Sequence, residues 1–367
     1  MSTTKALGML RLLLQSGVDL MTQTPVLSEV LKRLVPSFSL SLIRVDASCA
    51  PQQHYSEYFD ELSHRLFAES GHHFSAASDD PAAFGNLLRA KVPYGNLVRG
   101  GEAFESGATY QHLFQRNGIH HVLDVALRDR MGPLGILGIF REKAAKPFDR
   151  GDVHLIAQVY DALVHAFRAE PLPTDFDEAD AAVLLADPSG VIQWATPTAR
   201  AWLEDALGGP ERAHLMGANV LPAACRALAQ RLQKKESPTL CLTVPGGRLR
   251  LRAYTLDPMS PMGGVSPIAI HLQLEMSRRL KVLRALERSP LTERQRRIAL
   301  GHLDGLGPDA LCASLGITRS TLKSYQKELY RRLDVNSSAE LVAALHAQAA
   351  SATFDLERHL PRASRGG

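Results

Sequence analysis

The stretch GITRSTLKSYQKELYRRL, from Gly316 to Leu333, decides how the C-terminal part of this chain is interpreted. Basic residues recur in it at every fourth position. They are Arg319, Lys323, Lys327 and Arg331. At about 100° per residue they form one stripe of a helix, and the apolar residues form a separate face centred about 130° away. The apolar residues are Leu322, Tyr325, Leu329 and Leu333. The stretch predicts an amphipathic helix, although a cationic stripe alone is also the ordinary solvated face of a soluble helix.

Length and composition set the class of protein. The chain has 367 residues, and at roughly 100–200 residues per domain this predicts two or three domains. Hydrophobic residues make up 45% and charged residues 22%, which is typical of globular domains. No apolar run reaches the ~18 residues that a membrane helix needs. Arg11 interrupts the short apolar run at the N-terminus, so this segment is interpreted as an amphipathic helix and not as a signal peptide.

The charge is unevenly spread along the chain. The segment from Arg278 to Asp334 holds 13 lysines and arginines against 6 acidic residues, a net charge of +7, while the whole chain carries only +4. The remainder is therefore slightly acidic. This asymmetry predicts a polyanionic partner for the C-terminal part alone.

The four cysteines favour a reducing compartment. Cys49, Cys225, Cys241 and Cys312 are scattered and never form a close pair. This spacing excludes a cysteine-based zinc motif and argues against a disulfide framework. We therefore expect a cytoplasmic protein without a membrane segment.

Two linkers and the hydrophobic periodicity organise the chain. RAEPLPTDFDEAD, residues 168–180, combines two prolines with an acidic cluster and predicts a domain boundary. The charged segment 277–290 predicts a linker helix. Helices are predicted at about 4–20, 26–34, 57–69, 148–167, 292–303, 309–314, 318–332 and 338–347. Strands are predicted at about 40–45, 120–129 and 133–142, in a strand–turn–strand–helix unit at 181–207, in a hairpin at 240–256 and at 267–276.

The C-terminal segment is similar to LuxR-type helix-turn-helix domains. The pieces LTER, GL, LGIT, TLK and RLDV follow the order of that family between Leu291 and Val335, without an insertion. The resemblance covers about Pro290 to Leu345. It implies an all-α domain of four helices whose third helix binds DNA.

Five positions depart from the family pattern. Gln295 stands for Glu, Ala299 and Gly301 stand for leucines, Tyr325 stands for His, and Ser338 stands for Arg. Gln295 and Ser338 together lose one potential ion pair. Gly301 inside a helix costs about 1 kcal/mol relative to Ala, which predicts a less stable first helix.

The preceding residues resemble two sensor families. Residues 4–169 are similar to GAF domains, because a hairpin is followed by F-x-x-x-D, Phe148 to Asp152, and a long helix. Residues 179–276 are similar to PAS domains, because VLLADPSGVIQWATPTAR is close to the usual opening of that family. Both resemblances imply α/β folds that hold small ligands or dimerise, and the fold does not decide which.

The predicted fold class is therefore α+β and multidomain, with two α/β sensor domains before an all-α four-helix domain. The predicted segments are 1–169 (GAF-like), 179–276 (PAS-like), 277–289 (linker helix), 290–348 (helix-turn-helix) and 349–367 (flexible tail).

The cationic stripe and the resemblance together predict a site for double-stranded DNA. A helix of this kind enters the major groove, and its lysines and arginines neutralise phosphates. The predicted DNA-binding residues are Thr318, Arg319, Thr321, Lys323, Ser324, Lys327 and Arg331. The resemblance places Lys323, Ser324 and Lys327 nearest the base edges. Residues 318–321 lie at the helix start, where backbone N–H groups also favour phosphate.

Paired histidines suggest a metal site only at first sight. His120-His121 and His72-His73 are adjacent residues, and adjacent residues of a strand point to opposite faces. We expect surface histidines or hydrogen-bonded core histidines and predict no metal site.

Cysteines and tryptophans of the PAS-like segment leave cofactor chemistry open. Cys225 and Cys241 could serve redox, flavin or haem chemistry, although small buried thiols are commoner. Trp194 and Trp202 could line a pocket, although core packing is expected. The sequence holds no P-loop, G-x-S-x-G, H-E-x-x-H or kinase signature, so no catalytic residue and no enzyme activity are predicted, and the cofactor stays unknown.

These observations favour a sequence-specific transcriptional regulator. Its sensor domains would bind a small-molecule effector or mediate dimerisation. The last predicted helix exposes Leu341, Val342 and Leu345 for pairing with its counterpart in a homodimer. The alternative is a protein-interaction module that acts by heterodimerisation, with weak DNA binding or none.

Overall fold

The computed structural model describes residues 3–57, 62–63, 66, 79–80, 82–90, 92–98, 102–170, 175–207, 215, 219–233, 239–256 and 266–351. Its helices are α1 (Thr3–Leu14), α2 (Leu20–Leu34), α3 (Phe84–Arg89), α4 (Glu102–Glu105), a π-helical turn (Tyr110–Phe114), α5 (Arg150–Ala157), α6 (Tyr160–Arg168), α7 (Pro197–Ala206), α8 (Ala223–Gln233), α9 (Arg278–Arg288), α10 (Glu293–Leu303), α11 (Pro308–Leu315), α12 (Arg319–Leu333) and α13 (Ser338–Ser351). Its strands are β1 (Ser39–Val45), β2 (Pro51–Ser56), β3 (Tyr94–Val98), β4 (His121–Arg128), β5 (Pro133–Arg141), β6 (Phe176–Ala186), β7 (Ile192–Ala195), β8 (Thr239–Val244), β9 (Gly247–Thr255) and β10 (Ile268–Ser277).

The first sheet is antiparallel, in the order β2-β1-β5-β4-β3. Because side chains alternate across a strand, each face of the sheet has its own core. Leu40, Leu123 and Leu137 lie on the face that packs against α1, α2 and α6. Ile43 and Val122 lie on the opposite face, in an apolar group that we call the inner cluster. The inner cluster consists of Ile43, Cys49, Ala82, Phe84, Leu88, Phe104, Leu113, Phe114, Ile119, Val122, Ala126, Ile136 and Phe140.

The second sheet repeats this topology in the order β7-β6-β10-β9-β8. Counted within its own unit, this is again the second, first, fifth, fourth and third strand. One face packs against α7 and α8 through Trp202, Leu203 and Leu228, which are buried. The turn between β8 and β9 touches the first unit, where the Gly246 amide donates to the Thr22 carbonyl at 2.8 Å.

Helix α9 joins the two sheets to the C-terminal helices. It begins directly after β10 at Ser277, whose hydroxyl accepts from the Leu280 amide at 3.3 Å. Ion pairs tie it to β6, to α2 and to the end of α10. They are Arg278–Asp177, Lys281–Asp177, Arg284–Glu29, Arg33–Glu287 and Arg279–Asp304. The linker helix is therefore held from three directions.

The C-terminal helices share a core with the first sheet unit. Leu280, Leu283 and Leu286 of α9 belong to the same buried group as α1 and α2, and Leu341 and Leu345 of α13 complete it. We call this group the joint core. Its outer edge is polar: Arg297 of α10 donates to Gln15 at 3.5 Å.

Most predicted elements are present, with several corrected bounds. The helix predicted at 4–20 ends at Leu14, and the next begins at Leu20, six residues before the predicted start. The Asp19 carboxylate accepts from the Thr22 amide and starts α2 there. Strands β2 and β3 were not predicted. The predicted 57–69 helix lies largely outside the described residues.

Two further predictions are corrected at the ends of the first unit. The helix predicted at 148–167 is two helices, because Val159 leaves helical geometry between α5 and α6. Part of the predicted acidic linker is strand: β6 begins at Phe176 and pairs with β10 as far as Ser277.

No described helix is long and apolar enough to cross a membrane. Helix α13 reaches Ser351, and the rest of the predicted tail, 352–367, lies outside the described residues.

One acidic side chain lies deep in the first unit. Asp124 is in the middle of β4, on the same face as Val122 and Ala126. It forms no hydrogen bond or ion pair with a described residue. Burial raises the pKa of its carboxyl from 3.8 to about 7. Its proton is therefore retained in the folded state at pH values where an unfolded chain has lost it.

Asp124→Asn is expected to raise the free energy of unfolding at about pH 8 by at least 1 kcal/mol, and by little near pH 4. The folded pKa lies above the unfolded one, so ionisation of Asp124 reduces stability as the pH rises between about 4 and 7. Urea denaturation followed by circular dichroism at both pH values measures the difference. Asp161→Asn, an exposed carboxylate on α6, is the matched control. Equal gains at both pH values would contradict the expectation.

Candidate nucleic-acid interface

A tight turn sets the angle between α11 and α12. Gly316 ends α11 in the left-handed region, at φ 62° and ψ 40°, where a side chain is strained. Two residues later Thr318 caps α12, and its Oγ1 accepts from the Thr321 amide at 3.3 Å. Asp334, at φ 54°, ends α12 in the same left-handed region. Local sequence therefore fixes both ends of the helix.

An apolar face anchors α12 on the rest of the domain. Leu322 and Leu329 are buried at 1% and 0% exposure, and Tyr325 and Leu333 are half-buried beside them. The Tyr325 hydroxyl accepts from Arg294 of α10 at 2.9 Å. The predicted apolar face is thus the face that packs, and the tyrosine that stands for the family's histidine bonds to α10.

The predicted DNA-binding residues lie on the opposite side of α12. Thr318, Arg319, Lys323, Ser324, Lys327 and Arg331 are exposed, and Thr321 is half-buried. No described part of the first or second sheet unit covers this side. The packing of the joint core therefore leaves the cationic stripe exposed.

The four cations of the stripe differ in their surroundings, which the sequence did not predict. Arg319 donates two hydrogen bonds to Asp309 of α11, at 2.7 and 2.5 Å. Arg331 donates to Glu328 at 2.9 and 2.7 Å, and Arg331 and Arg332 lower the pKa of Glu328 to about 2. The arginines at the two ends are therefore partly neutralised.

The two lysines in the centre of the stripe differ from these arginines. No described carboxylate lies within ion-pair distance of Lys323 or Lys327. Both ammonium groups are exposed and lie about one helical turn apart, since their spacing is four residues. They are the strongest uncompensated positive charges of the stripe.

Two departures from the family pattern have structural roles. Gln295 forms a capping box with Thr292: its side chain accepts from the Thr292 amide at 2.9 Å. A Cβ on Gly301 would overlap Cδ2 of the buried Leu311, so the glycine lets α11 pack closely on α10. The prediction that Gly301 weakens α10 is therefore incomplete. The glycine lowers helix propensity, but it also permits the close contact between α10 and α11.

The other residues singled out in the sequence form no second polar centre. His120 and His121 are buried, and His120 Nδ1 lies 3.3 Å from the Tyr110 hydroxyl. His72 and His73 lie outside the described residues. In the part of the chain that is described, no three His, Cys, Asp or Glu side chains converge as metal ligands.

Of the two cysteines and two tryptophans in the second unit, one of each is buried as expected and one of each is exposed. Cys225 is buried and Trp202 packs in the second core, as expected. Cys241 is exposed and Trp194 is 62% exposed, so the expectation of burial was wrong for both. The cause is register: Cys241 pairs with Arg250 and Trp194 with Leu185 on the outer face of the sheet.

The predicted pairing surface on α13 is covered within the chain. Leu341 and Leu345 are fully buried and Val342 is half-buried, because α9 packs along this side of α13. The prediction that these leucines are exposed was wrong. It failed because the same three-residue spacing in α9 supplies a partner face within the chain.

Family comparison agrees with the geometry of the C-terminal helices. Residues 289–345 match the profile of the LuxR family of bacterial regulatory proteins (GerE). A putative helix-turn-helix transcriptional regulator encoded in the exeN 3′ region of Aeromonas salmonicida is 45% identical over 51 residues. This match covers 14% of the chain and 26% of that protein, so the chain spans about a quarter of the length of this curated relative.

Solved structures with partial likeness include Vibrio cholerae VqmA. Its complex with ligand and DNA is 14% identical over 49% of this chain and 87% of that chain, at a TM-score of 0.23. The VqmA dimer without target DNA gives a TM-score of 0.18 at 14% identity, over 45% of this chain and 81% of that one. A phage VqmA bound to DPO gives 0.21 at 15% identity, over 47% and 84%. TM-scores this low carry no argument about the whole chain.

Gly301→Ala is expected to lower the melting temperature, although alanine is the better helix former. The added methyl group meets Leu311, and overpacking of this kind costs ~1–3 kcal/mol against a gain of about 1 kcal/mol in helix propensity. Leu311→Val shortens the opposing side chain, so Gly301→Ala should cost less in that background. Thermal melts of the four chains of this double-mutant cycle measure the coupling. Additive losses would show that the two side chains do not compete for space.

Proposed function

We propose that this chain is a sequence-specific, DNA-binding transcriptional regulator, since its residues 289–345 belong to a LuxR-type helix-turn-helix domain. The observation that carries the proposal is the exposed centre of α12. Lys323 and Lys327 are uncompensated there, while the opposite face of the same helix is buried. A stripe with this geometry fits the major groove of double-stranded DNA, which admits one helix.

The residues of α12 take different roles in this proposal. Lys323, Ser324 and Lys327 meet base edges in the groove. The helix start carries the Thr318 and Thr321 hydroxyls and free backbone N–H groups, and it meets a phosphate. Arg319 and Arg331 reach the flanking phosphates, each by exchanging its carboxylate partner for a phosphate oxygen. Counterion release then makes binding weaken steeply with salt.

The two sheet units are proposed to serve as GAF-like and PAS-like sensors that bind a small effector or mediate dimerisation. Their shared strand order and separate apolar cores support two independent α/β units. Helix α9 contacts both units and α13, so it is the element through which a sensor could bias the DNA-binding helices.

A homodimer remains part of the proposal, because regulators of this kind read paired half-sites. Leu341 and Leu345 supply its interface only if α13 leaves α9. With DNA as the partner and four free thiols in the chain, we place the protein in the cytoplasm.

The second candidate function is a protein-interaction module with little DNA binding. Carboxylates partly neutralise both ends of the stripe through Asp309 and Glu328, which weakens its attraction for phosphate. Fluorescence anisotropy with genomic DNA fragments at graded salt distinguishes the two candidates. The regulator should bind some fragments tightly, with an affinity that falls linearly with salt on logarithmic axes, whereas the interaction module should bind all fragments weakly or not at all.

Lys323→Ala combined with Lys327→Ala is expected to weaken binding to fragments recovered by genome-wide mapping of the tagged protein by about 100-fold or more. Because the proposal places both lysines at base edges, the loss should be larger for these fragments than for DNA of random sequence. Mobility shift and anisotropy measure both quantities. The helical content in circular dichroism should not change.

The matched control is Lys143→Ala combined with Lys146→Ala, which removes the same charge from an exposed loop of the first unit. This control should bind DNA like the wild type. If the Lys323 and Lys327 variant binds DNA as well as the wild type, α12 is not the DNA-binding helix.

Asp309→Asn is expected to strengthen binding to DNA of random sequence, because it frees Arg319 and removes a negative charge beside the phosphates. The salt slope should steepen by about 1. Glu340→Gln on α13, whose carboxylate bonds to Asn336, is the control. Weaker binding by the Asp309 variant would show that this ion pair positions α12 instead of competing with DNA.

A further inference from the structure

The outer face of the second sheet carries a row of apolar side chains that the chain leaves uncovered. Strand register places Trp194 of β7, Leu185 of β6, Ala269 of β10 and Tyr254 of β9 side by side, and we call them the apolar row. Trp194 is 62% exposed and Tyr254 is 46% exposed, and Val183 beside the row is 41% exposed. Helices α7 and α8 pack on the opposite face. A contiguous apolar surface of this kind marks an interaction site.

Charged side chains lie at the other end of the same face, and their charges do not balance locally. Glu275 of β10 accepts a hydrogen bond from Arg248 at 2.5 Å and forms an ion pair with Arg250 at 2.8 Å. One carboxylate therefore serves two guanidinium groups, and β9 keeps a surplus positive charge. Glu178 of β6 is exposed, lies directly opposite Glu275 and forms no ion pair with a described residue. Like charges in this position destabilise a sheet unless a cation approaches.

A two-fold axis parallel to β10 makes this face complementary to a copy of itself. Because β10 is the central strand, such an axis lays β6 of one copy over β9 of the other at the same level along the strands. Leu185 and Trp194 then meet Tyr254 of the second copy, and Glu178 meets Arg248 of the second copy. A two-fold axis across the strands would instead stack the apolar row on the charged end. The pattern of the face therefore selects the parallel axis.

The face also has the size of a stable interface. Strands β6, β9 and β10 are nine to eleven residues long, and the five strands span four interstrand spacings. At ~3.3 Å per residue and ~4.8 Å per spacing, the face measures about 30 Å by 19 Å, or roughly 600 Å² before side-chain relief is added. Each partner of a standard interface buries ~800 Å² of accessible surface. Two sheets of this kind stack face to face with nearly aligned strands.

We propose that a second copy of this chain covers the outer face of the second sheet in a two-fold dimer. The apolar row of each copy packs on the apolar row of the other, and Glu178 of each copy pairs with Arg248 of the other. This inference rests on the proposed homodimer and gives it an interface. Leu341 and Leu345 stay buried against α9 in this dimer, so α13 does not have to leave α9.

The first test uses the unmodified full chain without DNA. Sedimentation velocity over a dilution series should show a dimer that dissociates into monomers. The chain has two tryptophans, and Trp202 is buried in the second core, so a change in emission on dissociation reports on Trp194. The emission should move to longer wavelength over the same concentrations at which the dimer dissociates. In Trp194→Phe the sedimentation change should remain, and the emission change should be lost.

The second test removes the apolar contact. Trp194→Arg is expected to weaken dimerisation about 30-fold or more, because each dimer loses a tryptophan contact twice. Met131→Arg is the matched control, since Met131 is an exposed apolar side chain in the turn between β4 and β5 of the first unit. This control should dimerise like the wild type. Both variants should keep the wild-type circular dichroism.

The third test reverses the charges across the axis. Glu178→Arg alone and Arg248→Glu alone should each weaken dimerisation, because each sets like charges against each other at two contacts. A mixture of the two variants should dimerise again, because both contacts of the mixed dimer then join opposite charges. Glu142→Arg, at an exposed glutamate of the first unit, is the control and should dimerise normally.

Three outcomes would overturn the proposal. A full chain that stays monomeric at the highest concentration it reaches would leave the face to a different protein. Dimers that persist in Trp194→Arg and in Glu178→Arg would place the interface elsewhere on the chain. Mixed charge variants that stay monomeric would refute the two-fold pairing. These measurements contain no DNA, so their failure leaves the DNA-binding proposal standing, and loss of DNA binding in the Lys323 and Lys327 variant leaves this interface standing.

Discussion

The architecture depends on the burial of α9 from more than one side. Leu280, Val282, Leu283 and Leu286 are fully buried, and even Arg284 and Glu287 keep less than a tenth of their surface. A surface helix would bury one stripe and leave its charged residues in water. Burying each large apolar side chain contributes ~1.5–3 kcal/mol, so removing α13 or α2 from α9 would be costly. The position of the DNA-binding helices relative to the first sheet is therefore fixed by packing.

This arrangement makes β4 a strand with two roles. Asp124 lies on the face with the inner cluster, and Leu123 and Val125 lie on the face with the joint core. Packed interiors are nearly incompressible, so a displacement of β4 would be transmitted to the helices of the joint core.

The sequence predicted those parts whose signal is local. The turn at Gly316, the cap at Thr318 and the leucine face of α12 depend on residues within one short stretch, and all three are present as expected. The hairpin of β8 and β9 could also be predicted, because its alternating apolar and polar residues and its glycine turn are adjacent in the chain.

The failures share a different cause, since each depends on a partner distant in sequence. From the sequence alone Leu341 is predicted to be an exposed dimer contact, but α9 covers it in the fold. Gly301 is likewise predicted only to destabilise its helix, but the missing side chain makes room for Leu311. Asp124 reads as the polar residue of a half-buried strand, whereas α3 and the phenylalanines of the inner cluster cover that face of the sheet. The division of the cationic stripe into paired arginines and unpaired lysines likewise needs the fold, because Asp309 comes from another helix.

The covering of α13 by α9 has a consequence for dissecting this protein. A fragment that starts at Thr292 would keep all four helices of the helix-turn-helix domain, yet it would expose the side of α13 that α9 covers, next to Leu341 and Leu345. We expect such a fragment to self-associate through this exposed apolar surface. Any avidity for DNA measured with it would then result from the removal of α9 and not from the intact protein. A chimaera that joins the helix-turn-helix domain, α10 to α13, to another sensor domain must therefore include α9 or a substitute helix with the same leucine spacing.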